Sequence, residues 1–163
     1  MSATSGPETC QSPPQRLRAG AVRAGCRALS LYLDASALVK RYVAELGSEV
    51  VREAMERAES WYMCRHGFVE TVRAVALAAG DGATRAVKEE WPAFGVVEVD
   101  QALVEHAAFL ALERDLRSLD SLHLAAALVL PGEDLVVVTW DRRLHKAAAA
   151  EGLELLPEVL NLT

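Results

Sequence analysis

The chain has 163 residues, 52% of them hydrophobic, and a formal net charge of −6. That length suits one domain with a full core, and the longest apolar runs are broken by Arg, His, Glu or Pro, which excludes a membrane span. Cys10, Cys26 and Cys64 are odd in number and lack CxxC spacing, which excludes a zinc knuckle or disulfide framework and fits a reducing cytoplasm.

Met1 to Ser30 stands apart. It contains Pro7, Pro13 and Pro14, no apolar periodicity, and four arginines (Arg16, Arg18, Arg23, Arg27) against Glu8, a charge of +3 that leaves −9 on the rest. Arg23 and Arg27 interrupt the only candidate signal-peptide core. Residues 1–30 therefore read as a disordered basic extension or a start placed too far upstream, or else as an arm for nucleic acid, and residues 31–163 as the folded domain.

Leu31–Leu33 is a short buried strand that ends at Asp34. Helix follows over Ala37–Val43, stops at Gly47, and resumes over Glu49–Glu59, where Val50, Val51, Ala54, Met55 and Ala58 recur at helical spacing. Trp61–Cys64 is the second strand. Gly67–Ala79 is a helix with Val69, Val72, Ala76 and Ala79 as its apolar stripe, and Thr84–Trp91 is another beyond Gly80-Asp81-Gly82. Val96–Val99 is the third strand, and Asp100 caps a helix over Ala102–Arg114. Asp120–Leu130 is helical, Leu135–Thr139 is the fourth strand, Arg142–Ala150 is helical, and Leu153–Leu156 forms an edge strand. Strands alternating with helices predict a three-layer α/β/α sandwich around a parallel sheet of four to five strands, with ligands at the strands' carboxyl ends.

Four acids sit at the starts or ends of apolar elements: Asp34, Glu70, Asp120 and Asp141. Singly, each has an ordinary reading: Asp34 and Asp120 as helix N-caps, Asp141 as a turn residue, Glu70 as a solvated partner of Arg73. Together, parallel strands would bring them to one edge, where carboxylates repel unless a divalent cation lies among them. Oxygen ligands suit Mg²⁺, or Mn²⁺, and a cation so held activates water for attack on a phosphodiester. Ser36 and Thr139 add hydroxyls for metal-bound water or a phosphate oxygen.

Three segments resemble the PIN-domain ribonucleases of the VapC toxin branch: Leu31-Tyr-Leu-Asp34-Ala-Ser36-Ala-Leu-Val-Lys40, Ser118-Leu-Asp120-Ser-Leu-His123-Leu-Ala-Ala-Ala, and Val138-Thr139-Trp140-Asp141-Arg-Arg-Leu. The resemblance runs from Leu31 to about Leu156, and the tail departs from it. It implies an α/β/α sandwich, Mg²⁺-dependent endonucleolytic cleavage of RNA in the cytoplasm, and homodimers. It also implies restraint by a cognate small VapB-type antitoxin, through which alone operator DNA would be met. On that carry-over Asp34 and Asp120 are metal ligands, Glu70 helps directly or through water, and Asp141 completes the site or binds a second ion.

Lys40, Arg41, Arg142 and Arg143 flank the mouth and read either as phosphate contacts or as solvated helix charges. His123 follows Asp120 by three residues and reads first as a packed or hydrogen-bonded histidine. His66 precedes Glu70 by four, but with no HExxH and no third partner in view it is set aside as a ligand. Trp140 reads as core. A phosphohydrolase with Asp34 as nucleophile is disfavoured by Ser36 standing where a second aspartate is usual. A non-catalytic acidic binding module remains the alternative.

Overall fold

The structure is a computed structural model that describes residues 28–132 and 134–160. The expectations for the tail, with Cys10 and Cys26, fall almost wholly outside these residues. Strand β1 is Ser30–Leu33, followed by α1 (Ala35–Tyr42), α2 (Ser48–Arg57) and β2 (Ser60–Cys64). Next come α3 (Arg65–Glu90), a 3-10 turn at Trp91–Ala93, β3 (Gly95–Val97), α4 (Gln101–Glu113) and α5 (Ser118–Leu128). The fold closes with β4 (Leu135–Val138), α6 (Arg142–Ala150) and β5 (Glu154–Leu156).

The five strands pair in parallel in the order β3-β2-β1-β4-β5. Period-2 alternation sends successive strand residues to opposite cores. Tyr32, Leu135 and Val137 join the α4, α5 and α6 side chains Leu110, Leu124 and Leu144. Leu31, Leu33 and Val138 join Leu38 of α1 and Val51 and Met55 of α2. The result is the three-layer α/β/α sandwich with a five-stranded parallel sheet. No helix among the described residues is long and apolar enough to cross a membrane.

Most boundaries shift by a residue or two from the sequence expectation, and three of the differences bear on the site. The two helices expected on either side of Gly80-Asp81-Gly82 run together as α3, interrupted by one non-helical residue, Gly80, at φ 76°. The third strand starts a residue earlier, at Gly95, and ends at Val97, so Glu98 is free to pair with Arg65. Helix α5 begins at Ser118 with Arg117 as its N-cap residue, so Asp120 lies inside the first turn and is not the cap.

The expected stripe of α3 is also wrong. Val69 is 67% exposed and Ala76 and Ala79 face solvent, while Gly67, Thr71 and Val75 are buried. The cause lies in packing. A Cβ on Gly67 would stand 2.7 Å from Met63 Sδ and 3.0 Å from the His123 ring, so this face alone lets α3 close on β2 and α5.

Candidate metal centre

The register of the central strands builds the site. Leu33 pairs with Val138, so Asp34 and Thr139 leave neighbouring strands side by side at the carboxyl edge. Asp34 caps α1, its Oδ1 accepting from Ala37 N at 2.9 Å. Thr139 Oγ1 donates to Asp34 Oδ2 at 2.7 Å, and Ser36 Oγ reaches both carboxylate oxygens at 2.8 and 2.9 Å. The two hydroxyls also accept from the next loop: Ser36 Oγ from Trp140 N at 2.8 Å and Thr139 Oγ1 from Asp141 N at 3.0 Å. Thr139 is wholly buried and Asp34 only 4% exposed. Burial pushes the Asp34 carboxyl above its usual range, and His123 and these three donors only partly offset it.

Asp141 caps α6, its Oδ1 accepting from Arg143 N at 2.8 Å and Leu144 N at 2.9 Å. For Asp34 and Asp141 the capping reading and the site reading therefore describe one geometry, since a cap uses only some of a carboxylate's lone pairs. Asp120 is different. Its Oδ2 is shut from solvent and has no hydrogen-bond partner. Its pKa is raised by burial, then by the charge of Asp141 and, less, of Asp34, against the opposing pull of His123 and Arg117. Asp120 thus lies within the field of both Asp141 and Asp34.

Glu70 does not pair with Arg73. Its Oε2 lies 3.0 Å from His123 Nε2 and 3.5 Å from His66 Nε2. Burial alone would raise the Glu70 carboxyl, but the hydrogen bond with His123 and the charges of His123 and His66 bring it below the usual range. His123 Nδ1 in turn meets the fully buried Tyr32 hydroxyl at 2.7 Å. Glu70 also shares a cleft of about 370 Å³ with Ser36, Val39, Lys40, Ala74 and Trp140. The third partner that His66 lacks on its own helix is His123 of α5, and ligand atoms of His66, Glu70 and His123 lie within 4.8 Å of one another. Burial and the neighbouring His123 hold the His66 pKa down at about 4.

The cations at the mouth divide. Lys40 is buried, with Nζ bonded to Glu45 Oε1 at 2.7 Å and Leu46 O at 2.9 Å and lying 5.0 Å from the Trp140 ring centroid. Arg41 is locked to Glu90, which also accepts from Tyr42. Arg142 and Arg143 are exposed. Trp140 is half-buried against the α1/α2 core. Gly47, at φ 90°, leaves room for its ring: a Cβ there would meet it at 2.5 Å.

An all-oxygen donor set with an orphaned buried carboxylate oxygen fits a hard divalent cation. Asp120 and the free oxygen of Asp141 offer open lone pairs, while Asp34 is nearly saturated by its own donors.

The PIN domain family model matches residues 31–150, the span that carries all four acids. Ribonuclease VapC45 of Mycobacterium tuberculosis (strain CDC 1551 / Oshkosh) is 34% identical over 140 residues, which cover 80% of this chain and 97% of the relative. Among solved structures, Mycobacterium tuberculosis VapC20, titled a sarcin-ricin loop cleaving toxin, superposes with a TM-score of 0.63 at 16% identity, covering 79% of this chain and 98% of that one. A chain of a toxin-antitoxin complex from Klebsiella pneumoniae superposes with a TM-score of 0.56 at 15% identity, covering 68% of this chain and 86% of its own. These two show the shared fold. With the family match and the identity to a VapC ribonuclease, they place the chain: it belongs to the PIN-domain family, in its VapC-type ribonuclease branch.

Proposed function

We propose that this protein is a divalent-cation-dependent endoribonuclease, using Mg²⁺ or Mn²⁺, and the toxin of a toxin–antitoxin pair. The observation that carries the reading is Asp120, whose buried Oδ2 has no partner while Asp141 and Asp34 repel its charge. A fold keeps such a group where a ligand completes it. VapC45, named a ribonuclease, supports the substrate class, and VapC20, titled a toxin, and the Klebsiella toxin-antitoxin complex support the toxin role and the kind of partner.

In this mechanism Asp34, Asp120 and Asp141 would hold the cation, and Glu70 would reach it directly or through water. When bound, the cation lowers the pKa of a water and neutralises charge on the phosphoryl oxygens. Ser36 and Thr139 fix the Asp34 carboxylate, and Thr139 also fixes the Asp141 backbone, so these side chains need not reorganise during reaction. Glu70, ionised and anchored at Oε2, lines the cleft and would orient a water and take up its proton. Of the cations considered at the mouth, exposed Arg142 and Arg143 are the ones available to RNA phosphates, because Lys40 and Arg41 are engaged. A VapB-type antitoxin would silence the site by placing an arginine or lysine among the carboxylates. The protein would act in the cytoplasm as a homodimer and meet operator DNA only through that partner. The tail that precedes β1 would stand outside this nuclease domain.

The partner-free protein should cut RNA from a broad panel in Mg²⁺, and EDTA or Asp120→Asn should abolish cutting. Intact RNA with folded, metal-supplemented protein would instead favour a non-catalytic acidic binding module.

A further inference from the structure

We propose that His66, Glu70 and His123 form a second cation site, selective for transition ions of the Zn²⁺, Co²⁺ and Ni²⁺ class over Mg²⁺. The donor set is two imidazoles and one carboxylate, a combination that suits these ions, whereas Mg²⁺ prefers oxygen alone.

The distances fit. Around an ion with bonds of about 2.0–2.1 Å, tetrahedral ligand atoms stand roughly 3.3 Å apart. Glu70 Oε2 is 3.0 Å from His123 Nε2 and 3.5 Å from His66 Nε2. The rings of the two histidines have centroids 4.3 Å apart, and the three ligand atoms lie within 4.8 Å. A small turn of the His66 ring closes the third edge.

Two further observations point to a ligand. Both His66 ring nitrogens are shut from solvent, and their nearest polar neighbours, the Leu119 backbone and Glu70 Oε2 at 3.5 Å, make no hydrogen bond of ordinary geometry with them, a costly state for a polar ring unless something completes it. The other nitrogen of His123 meets the Tyr32 hydroxyl at 2.7 Å. Histidine ligands characteristically have such a second partner, which fixes the tautomer and aims the ring. Without an ion, His123 Nε2–H donates to Glu70. With one, Nδ1–H donates to the Tyr32 oxygen and frees the Nε2 lone pair. Glu70, 31% exposed at its side chain, leaves a fourth position open for water.

The site stands independently of RNA cleavage. If the ribonuclease reading also holds, an ion here competes for the one Glu70 carboxylate that the Mg²⁺ cluster also uses, so Zn²⁺ would oppose Mg²⁺-supported cutting.

The test is titration of the metal-free full chain with Co²⁺, read by visible absorption. One equivalent should give the intense bands of four- or five-coordinate Co²⁺, and millimolar Mg²⁺ should not erase them. Asp120→Asn should keep the bands and His66→Gln should lose them, with circular dichroism confirming each fold. Tyr32→Phe should weaken Zn²⁺ binding by about 10–100-fold, measured by competition. Bands that persist in folded His66→Gln, vanish in Asp120→Asn, or are displaced by Mg²⁺ would put the ion among the aspartates and overturn the proposal.

Discussion

The two walls of the acidic cleft are finished to different degrees. On the β1/β4 wall, each polar group near the reacting end has a partner within the protein: Asp34 takes donors from Ser36, Thr139 and Ala37, and Asp141 takes two backbone donors. On the α3/α5 wall, Asp120 Oδ2 has none, and His66 has only a 3.5 Å approach to Glu70 and a poorly aligned one to the Leu119 backbone. A buried group left unmatched costs about 1–3 kcal/mol. The first wall is therefore braced from within before any cation binds, and the second is completed from outside. Replacing Asp34 and replacing Asp120 should therefore have opposite effects on stability.

The largest effect belongs to the finished wall. Asp34→Ala orphans the Thr139 hydroxyl, the Ser36 hydroxyl and the first amide of α1, and should cost about 2–4 kcal/mol in urea unfolding as well as abolishing cleavage. Thr139→Val comes next. It breaks the link between Asp34 and the Asp141 amide, and should cost about 1–2 kcal/mol and weaken Mg²⁺ binding by about 10–100-fold. Asp120→Asn should also end catalysis, yet raise the metal-free melting temperature by roughly 2–5 °C, because it removes a charge that burial and Asp141 disfavour. If Asp120→Asn destabilised the chain as much as Asp34→Ala, the contrast between the walls would be gone.

A smaller effect follows from pH. The Asp34 and Asp120 carboxyls are raised in the fold, so the folded state holds their protons more tightly than the unfolded chain. Their contribution favours folding below the unfolded value of about 3.9 and is lost as pH rises through the raised folded values. Cation binding needs the ionised forms. The Mg²⁺ concentration for half-saturation should therefore climb as pH falls, starting above the ordinary aspartate range. Titration at a series of pH values, followed by tryptophan fluorescence or calorimetry, measures this, and a dependence confined to the ordinary range would count against the burial account.

The finished wall was the legible one. Asp34 and Asp141 close apolar strands, and parallel pairing carries strand ends to one edge, so a one-dimensional pattern sufficed to find them. The α3/α5 wall was not legible in the same way. Alanine and valine lie all round α3, so hydrophobicity did not choose between Val69 and Thr71. A glycine fitted against Met63 and His123 did. Asp120 was misplaced as a cap because α5 starts two residues earlier, at Ser118, and only the three-dimensional packing exposes its missing partner. His66 was set aside for want of a neighbour in sequence, whereas its neighbour comes from another helix.

The most direct check is thermal unfolding of the wild type and Asp120→Asn with and without millimolar Mg²⁺. Wild type should gain several degrees with the cation, about 2–3 kcal/mol at a hundredfold excess over Kd, and Asp120→Asn, though more stable without metal, should gain none. An equal Mg²⁺-induced shift in both proteins would contradict a cation held by Asp120.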